Sequence, residues 1–282
     1  MCSSHSACYS LRQIHNGYGK METLARFGYV AKGFVYGAIA VLALLTAFSF
    51  QGGETTGTTG ALETISKQPA GKILLLLIAI GLVGYALWRL IQAIKDPDRK
   101  GNDVKGIFSR LGYMMSGLAY IGVAANAALL AMGSGGGSGG GDSSKQDWTA
   151  MVMQQPFGRW LVGLAGALTM GIGFYRIYKA YKTKFKKKLN LGSLDRDRKK
   201  WLINISRFGI AARGVVFIMI GFFVLQAAHN YDPQKVKGLD GVLATLVRQP
   251  WGKGLLALMA LGLLAYAIYL WLQARFRKIE IE

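Results

Sequence analysis

Six segments of this chain are each long and apolar enough to cross a lipid bilayer, and nothing else in the sequence restricts its fold so severely. A hydrocarbon core about 30 Å thick requires roughly 20 apolar residues in helical form. The segments Phe27 to Phe50, Ile73 to Ile94, Leu111 to Met132, Trp160 to Tyr181, Phe208 to Ala228 and Leu255 to Ala274 meet that requirement. The third and sixth carry no charge. The first is interrupted only by Lys32, the second has Arg89 near its end, the fourth has Arg176 and Lys179 late in it, and the fifth contains Arg213. Buried helices of water-soluble proteins seldom lack a polar face to this degree. The predicted fold is therefore all-α, a polytopic membrane protein of six transmembrane helices.

The six spans fall into three tandem helical hairpins, because a set of markers recurs in the same order. Each copy opens with Arg, one residue, then Gly: Arg26 and Gly28, Arg110 and Gly112, Arg207 and Gly209. Seven residues after the Arg stands a second glycine, Gly33, Gly117 and Gly214, and ten after it an aromatic, Tyr36, Tyr120 and Phe217. The Arg, the second glycine and the aromatic share one helical face. Each second span is preceded by Gln-Pro-x-Gly and a basic residue, which gives Pro69 with Gly71, Pro156 with Gly158, and Pro250 with Gly252. Nineteen residues beyond the proline lies an aromatic, Trp88, Tyr175 and Tyr269. The proline suits the first turn of a helix, and the glycine permits close backbone approach. The stretches Ala61 to Ile65 and Val242 to Val247 read as short helices at the membrane surface, and Gly133 to Gly141 as a flexible linker. The repeats are placed at residues 24–95, 108–182 and 205–276 in a pseudo-threefold arrangement. Linkers fill 96–107 and 183–204, with tails at 1–23 and 277–282.

Charge sets the orientation. Lys and Arg number 34 against 14 Asp and Glu, for a net charge of +20. In a soluble chain that excess suggests nucleic acid. Counting Lys179 with the loop that follows it, 22 of the basic residues lie in the segments up to Arg26, from Lys95 to Arg110, from Lys179 to Arg207 and from Arg275 onward, 8 in the hairpin loops and four within the spans. The positive-inside rule then puts both termini and both linkers in the cytoplasm. The run from Lys179 to Lys188, continued by Arg196, Arg198, Lys199 and Lys200, fits attachment to an anionic leaflet and not nucleic-acid recognition. The two cysteines, Cys2 and Cys8, supply no disulfide framework. With His5 and His15 they match no standard zinc module, so no metal is expected. The first twenty residues contain no signal-peptide core, and Met21, directly before repeat-like sequence, is an alternative translation start.

The threefold recurrence of Arg-x-Gly, a glycine seven residues on, and Gln-Pro-x-Gly-basic over six spans resembles a bacterial family catalogued as domain of unknown function 1206. The resemblance covers roughly Leu24 to Arg275. It implies six membrane helices in three tandem repeats, and a bacterial plasma membrane location, and it supplies no activity. The third copy departs from the others, with Leu270 where Arg89 and Arg176 stand.

All carboxylates lie outside the spans. Ion-coupled transporters usually place Asp, Glu or His inside the membrane, and here only His229 approaches it. Proton-coupled transport and intramembrane acid–base catalysis are thereby disfavoured, and no phosphate loop or dinucleotide fingerprint is present. No enzyme and no cofactor is expected. The charged groups within spans are basic. Lys32 and Arg213 stand about 9 Å inside the openings of their helices, and Arg89 and Arg176 lie near the returning ends. Snorkelling to the phosphate level is the plainer reading. A basic pocket for an anionic lipid headgroup or another anion is the functional one, with Arg26, Arg110 and Arg207 ringing its mouth. Spacings such as Gly33 with Gly37 and Gly163, Ala167 and Gly171 fit packing within the chain or a homo-oligomer contact. The expected function is a non-enzymatic scaffold that binds lipid or partner proteins through a basic cytoplasmic face, with a small channel or carrier as the alternative.

Overall fold

The Gln-Pro-x-Gly motif builds the same turn three times. In a computed structural model, the residue between proline and glycine adopts left-handed backbone geometry in every copy: Ala70 at φ 60°, Phe157 at 65° and Trp251 at 61°. The glycine N–H donates to the glutamine carbonyl at 2.8 Å for Gly71, 2.9 Å for Gly158 and 2.8 Å for Gly252. The spanning helix begins at that glycine, so the proline occupies the turn before the helix, not its first turn as the sequence suggested. The glycine is required for space. A Cβ there would collide with the backbone carbonyl of Ile65, Val152 or Val247 from the preceding short helix.

The structure describes residues 5–48, 58–96, 101, 103–133, 142–183 and 195–276, with side chains from residue 23 onward except at 24, 25, 105, 143 and 144. Cys2, the side chains of His5, Cys8 and His15, residues 134–141 of the Gly-Ser linker and the core of the polybasic run lie outside this description. The helices are α1 (His5–Phe48), α2 (Thr58–Ser66), α3 (Gly71–Ile94), α4 (Val104–Ala131), α5 (Asp142–Met153), α6 (Gly158–Tyr181), α7 (Arg196–Asn230), α8 (Leu239–Val247) and α9 (Gly252–Phe276). Among the described residues no strand occurs. Six helices, α1, α3, α4, α6, α7 and α9, carry candidate membrane spans. Helix α1 runs unbroken through residues placed in the N-terminal tail, and α7 starts within the segment placed in the second linker.

The spans form a ring. Helix α1 packs on α3 within its repeat and on α9 of the third repeat; α3 packs on α4, α6 on α7, and α7 on α9. Two of the first spans, α1 and α7, thus use two glycines for two neighbours. The early glycine meets the partner in its own hairpin: a Cβ on Gly28 would stand 2.6 Å from the Tyr85 backbone nitrogen, and one on Gly209 would strike Tyr266. The later glycine meets the adjoining repeat: Gly33 lies against Trp271, Gly117 against Leu90, and Gly214 against Ile177 and the Gly173 carbonyl. Small residues permit such approach where lipid offers no hydrophobic drive for association.

The hairpin-loop half of the ring is filled. Ile39, Ala43, Leu75, Leu82, Ala127, Leu256 and Leu263 form one buried cluster, closed by Leu62 of α2 and Leu243 of α8, which fold back onto it. Short helices therefore do precede each second span. Helix α5 caps the next repeat: both Asp142 carboxylate oxygens accept bonds of 2.9 Å, from the N–H groups of Gly238 and Gly241 at the start of α8.

The ring is incomplete at one place. Helices α4 and α6, the two spans of the second repeat, do not pack along their lengths as α1 packs on α3 and α7 on α9. Only 28% of the α4 span and 17% of the α6 span is buried, against 39–50% for the other four. Gly112, the counterpart of Gly28 and Gly209, faces open space. Gly28→Val and Gly209→Val are expected to lower stability by about 1–3 kcal/mol through overpacking. Gly112→Ala is expected to leave it unchanged or raise it by up to about 1 kcal/mol, since alanine is the better helix former. Thermal unfolding of the three variants in one detergent checks this, and equal losses would mean that the second hairpin is closed.

Candidate functional site

The half of the ring nearer the inter-repeat linkers holds charge instead of aliphatic packing. Lys32 and Arg213 occupy equivalent positions on α1 and α7, six residues beyond Arg26 and Arg207, and are 2% and 6% exposed. Arg89 and Arg176 sit at matching positions on α3 and α6, and both are partly buried. Lys32 and Arg89 bond to one Tyr85 oxygen, and Arg176 and Arg213 both stand over the Phe217 ring. Thus the four cations converge on one interior region. Snorkelling, the plainer sequence reading, does not describe them, because their head groups turn into the bundle and not along its surface.

Aromatic rings separate the charges. Lys32 Nζ donates to Tyr85 Oη at 2.9 Å and lies 4.2 Å from the centre of that ring and 4.3 Å from that of Tyr120. Arg89 Nε donates to the same Tyr85 oxygen at 2.8 Å, and its Nη1 to Gln92 Oε1 at 3.1 Å. Its guanidinium also stands 5.1 Å from the Tyr113 ring. Arg213 donates to Tyr266 Oη and lies 4.9 Å from the Tyr36 ring and 5.4 Å from Phe217. Arg176 lies 4.8 Å from Phe217. The rings also brace one another, with Tyr85 edge-on to Tyr29 at 5.3 Å and to Tyr120 at 4.8 Å, and Tyr36 edge-on to Tyr266 at 5.1 Å.

The groups around these basic side chains supply no compensating negative charge. A cation over a ring gains roughly 0.5–2 kcal/mol, but neither a ring nor a phenol carries net negative charge. Lys32 Nζ and Arg89 Nε share the Tyr85 oxygen, so the two nitrogens stand no farther apart than the sum of those two bonds, and the Lys32 amine, unlike a guanidinium, can shed its proton under such crowding. Two unit charges at such a separation would repel by roughly 3 kcal/mol for an effective dielectric near 20. The three guanidiniums cannot shed their charge. The Arg176 Nε and Arg213 Nε are buried donors without a hydrogen-bond partner. An uncompensated buried donor costs about 1–3 kcal/mol, more when charged. Chemically, the arrangement suits a compact anion with several acceptor oxygens, which guanidiniums bind in bidentate fashion.

The opening arginines do different work from that expected. Arg26 Nη1 donates to the carbonyls of Ala274 and Arg275 at 2.6 and 2.7 Å, the last turn of α9. Arg110 donates to the carbonyls of Ala93 and Ile94 at 2.7 and 3.0 Å, the last turn of α3. Both therefore satisfy orphan carbonyls at a neighbouring helix end and do not stand open around a mouth. Arg207 is half-buried at the equivalent point of α7. At the opposite end Arg159 caps α7 by the same means, donating to Ala228 and His229. Gly33, Gly37 and Gly163 pack within the chain, whereas Gly171 faces open space.

Sequence reasoning missed Tyr85 and Tyr266, each sixteen residues beyond its proline and each bonded to a buried cation. The signal existed in two repeats, but Ile172 occupies that position in the second. Tyr113 and Gln92 also recur in two repeats each, Tyr113 with Tyr29 three residues beyond the opening arginine and Gln92 with Gln273 twenty-three beyond the proline.

The model of a family described as Domain of Unknown Function (DUF1206) matches the chain three times, at residues 27–96, 111–183 and 208–277. An uncharacterized protein, YxxB, of Bacillus subtilis (strain 168) is 36% identical over 249 residues, 88% of each chain. No solved structure matches the chain. With three tandem matches that follow the hairpin pairs of a six-span bundle, this membrane protein belongs to the DUF1206 family.

Proposed function

We propose that the protein binds an anionic group, a lipid headgroup or another phosphate-like anion, in the interior basic pocket, and that it acts by binding and not by catalysis. The observation that carries this is the pair of buried, unpartnered donors, Arg176 Nε and Arg213 Nε. They stand beside Lys32 and Arg89 in a region to which no span contributes a carboxylate. Each cation placed near the middle of a membrane helix costs roughly 3 kcal/mol on insertion scales. An anion would offset the mutual repulsion and satisfy the free donors together. The pocket moves the expected binding from an outer cytoplasmic face to the interior, and a scaffold role for that face rests on the charge count alone.

The filled half of the ring supports binding over conduction. A channel needs a path past Ile39, Leu75, Leu82, Ala127, Leu256 and Leu263, which pack into one buried cluster. The distribution of Lys and Arg supports a topology with both termini and both inter-repeat linkers in the cytoplasm, and the bacterial relative supports a bacterial plasma membrane.

Arg176→Gln combined with Arg213→Gln is expected to reduce copurified anionic lipid, or the thermal shift produced by added inorganic phosphate, roughly tenfold for each charge-assisted bond lost. Native mass spectrometry and a phosphate titration read this, and an undiminished complement in both refutes the pocket. Tyr85→Phe, which removes the acceptor shared by Lys32 and Arg89, is expected to destabilise the protein by about 1–3 kcal/mol. Saturating phosphate should recover part of that loss in a melting experiment.

A further inference from the structure

The second repeat differs from its neighbours at the positions that hold the other hairpins shut. In the first repeat Ala31 of α1 packs into Gly81 of α3, and in the third Ala212 of α7 packs into Gly262 of α9; in both a Cβ on the glycine would collide with the alanine methyl. The equivalent pair in the second repeat is Met115 on α4 and Leu168 on α6. Four residues beyond that glycine, Tyr85 and Tyr266 are 0% and 4% exposed, while their counterpart Ile172 is 46% exposed; Met115 and Leu168 are 59% and 50% exposed. Two bulky side chains cannot take the place of an alanine in a glycine notch without pushing the helix axes apart. The opening between α4 and α6 is thus written into the sequence.

The opening leads to the pocket. Arg176, with its unpartnered Nε, lies one helical turn beyond Ile172 on α6. Lys179 follows on the same face, where the other repeats have buried Gln92 and Gln273. On α4 the position of Lys32 and Arg213 is taken by Ser116, which is small and uncharged. Apolar side chains toward the membrane centre therefore grade into cations toward the linker end along a single cleft. That sequence of surfaces matches acyl chains followed by a phosphate.

Resting on the anion-pocket reading, we propose that the occupant is a single anionic phospholipid that enters sideways from the bilayer between α4 and α6. Its phosphate meets Arg176 and Arg213, and its chains lie along Met115, Leu168 and Ile172. The complementary charge selects it over zwitterionic lipid, and the apolar cleft selects it over a free soluble anion.

The test uses the full chain in phosphatidylcholine nanodiscs doped with phosphatidylglycerol that carries a photoreactive diazirine on one acyl chain. Cross-links are expected to concentrate at Met115, Leu168 and Ile172, roughly tenfold above those from a phosphatidylcholine probe with the same chains. Arg176→Gln with Arg213→Gln should reduce them to the level of the phosphatidylcholine probe. Met115→Ala with Leu168→Gly, the pair used by the other hairpins, should reduce them with every cation retained and the melting temperature unchanged or higher. Equal labelling by both probes, equal labelling of the α1–α3 and α7–α9 faces, or labelling indifferent to the Ala-Gly pair would overturn lateral entry. If inorganic phosphate still shifts the melting temperature through Arg176 and Arg213 while the cleft stays unlabelled, the pocket stands and the lipid assignment falls. If neither responds, both fall.

Discussion

Helices in hydrocarbon gain nothing by hiding apolar side chains from one another, because lipid is as apolar as leucine. What holds a bundle together there is close contact, and close contact requires small residues at the crossing points. In this protein each first span carries two glycines suited to it. They lie five residues apart, which at 3.6 residues per turn is about 140° around the helix, so the two face different neighbours. One closes the hairpin and the other joins it to the adjoining repeat. Where both find partners, as in α1 and α7, the wall is shut. Where the early glycine finds none, as at Gly112, the wall is open.

The closed wall makes the charged interior costly. Lys32 and Arg213 are buried, and replacing a buried ionic group by a packed apolar one is often neutral or stabilising. The leucine at position 270, 1% exposed where two other repeats have arginine, shows that the fold accommodates an apolar side chain at such a site. The basic side chains are held apart by tyrosine faces and phenol oxygens, which orient them and carry no opposing charge. Donors fixed in position before a ligand arrives lose little freedom on binding it, which is how a pre-organised site gains affinity.

The spans and their number were legible because backbone in hydrocarbon must satisfy its own hydrogen bonds, and long apolar runs have few other options; that α4 and α6 would not pack as the other two hairpins do was not. The turn was legible because Gln-Pro-x-Gly fixes local geometry, although Pro69, Pro156 and Pro250 fall before the helices and not in their first turns. Charge direction was not legible. A lysine or arginine stem on a membrane helix reaches either the interface or the interior, and composition does not distinguish them; the aromatic partners do, and they come from other helices. Nor do the roles of Arg26 and Arg110 leave a trace in sequence, since the groups they serve are main-chain carbonyls of distant segments. The opening between α4 and α6 was present as Met115 and Leu168, but its meaning depends on Ala31 meeting Gly81, a contact visible only once the helices are placed.

Strict threefold symmetry would place a cation at the sixth position of every first span and at the matching position of every second span. Two of those six places are filled otherwise, by Ser116 on α4 and Leu270 on α9. The two substitutions differ in physical effect. Leu270 stands in a packed interface where a charge would be stranded. Ser116 stands on the half-exposed edge of the open hairpin, where a long basic side chain would lie across the route to the pocket. The second repeat thus combines bulk where its neighbours have a notch with a short side chain where they have a charge. Both changes act in one direction: they leave one of the three hairpins open beside Arg176, with the other basic side chains on the two closed hairpins.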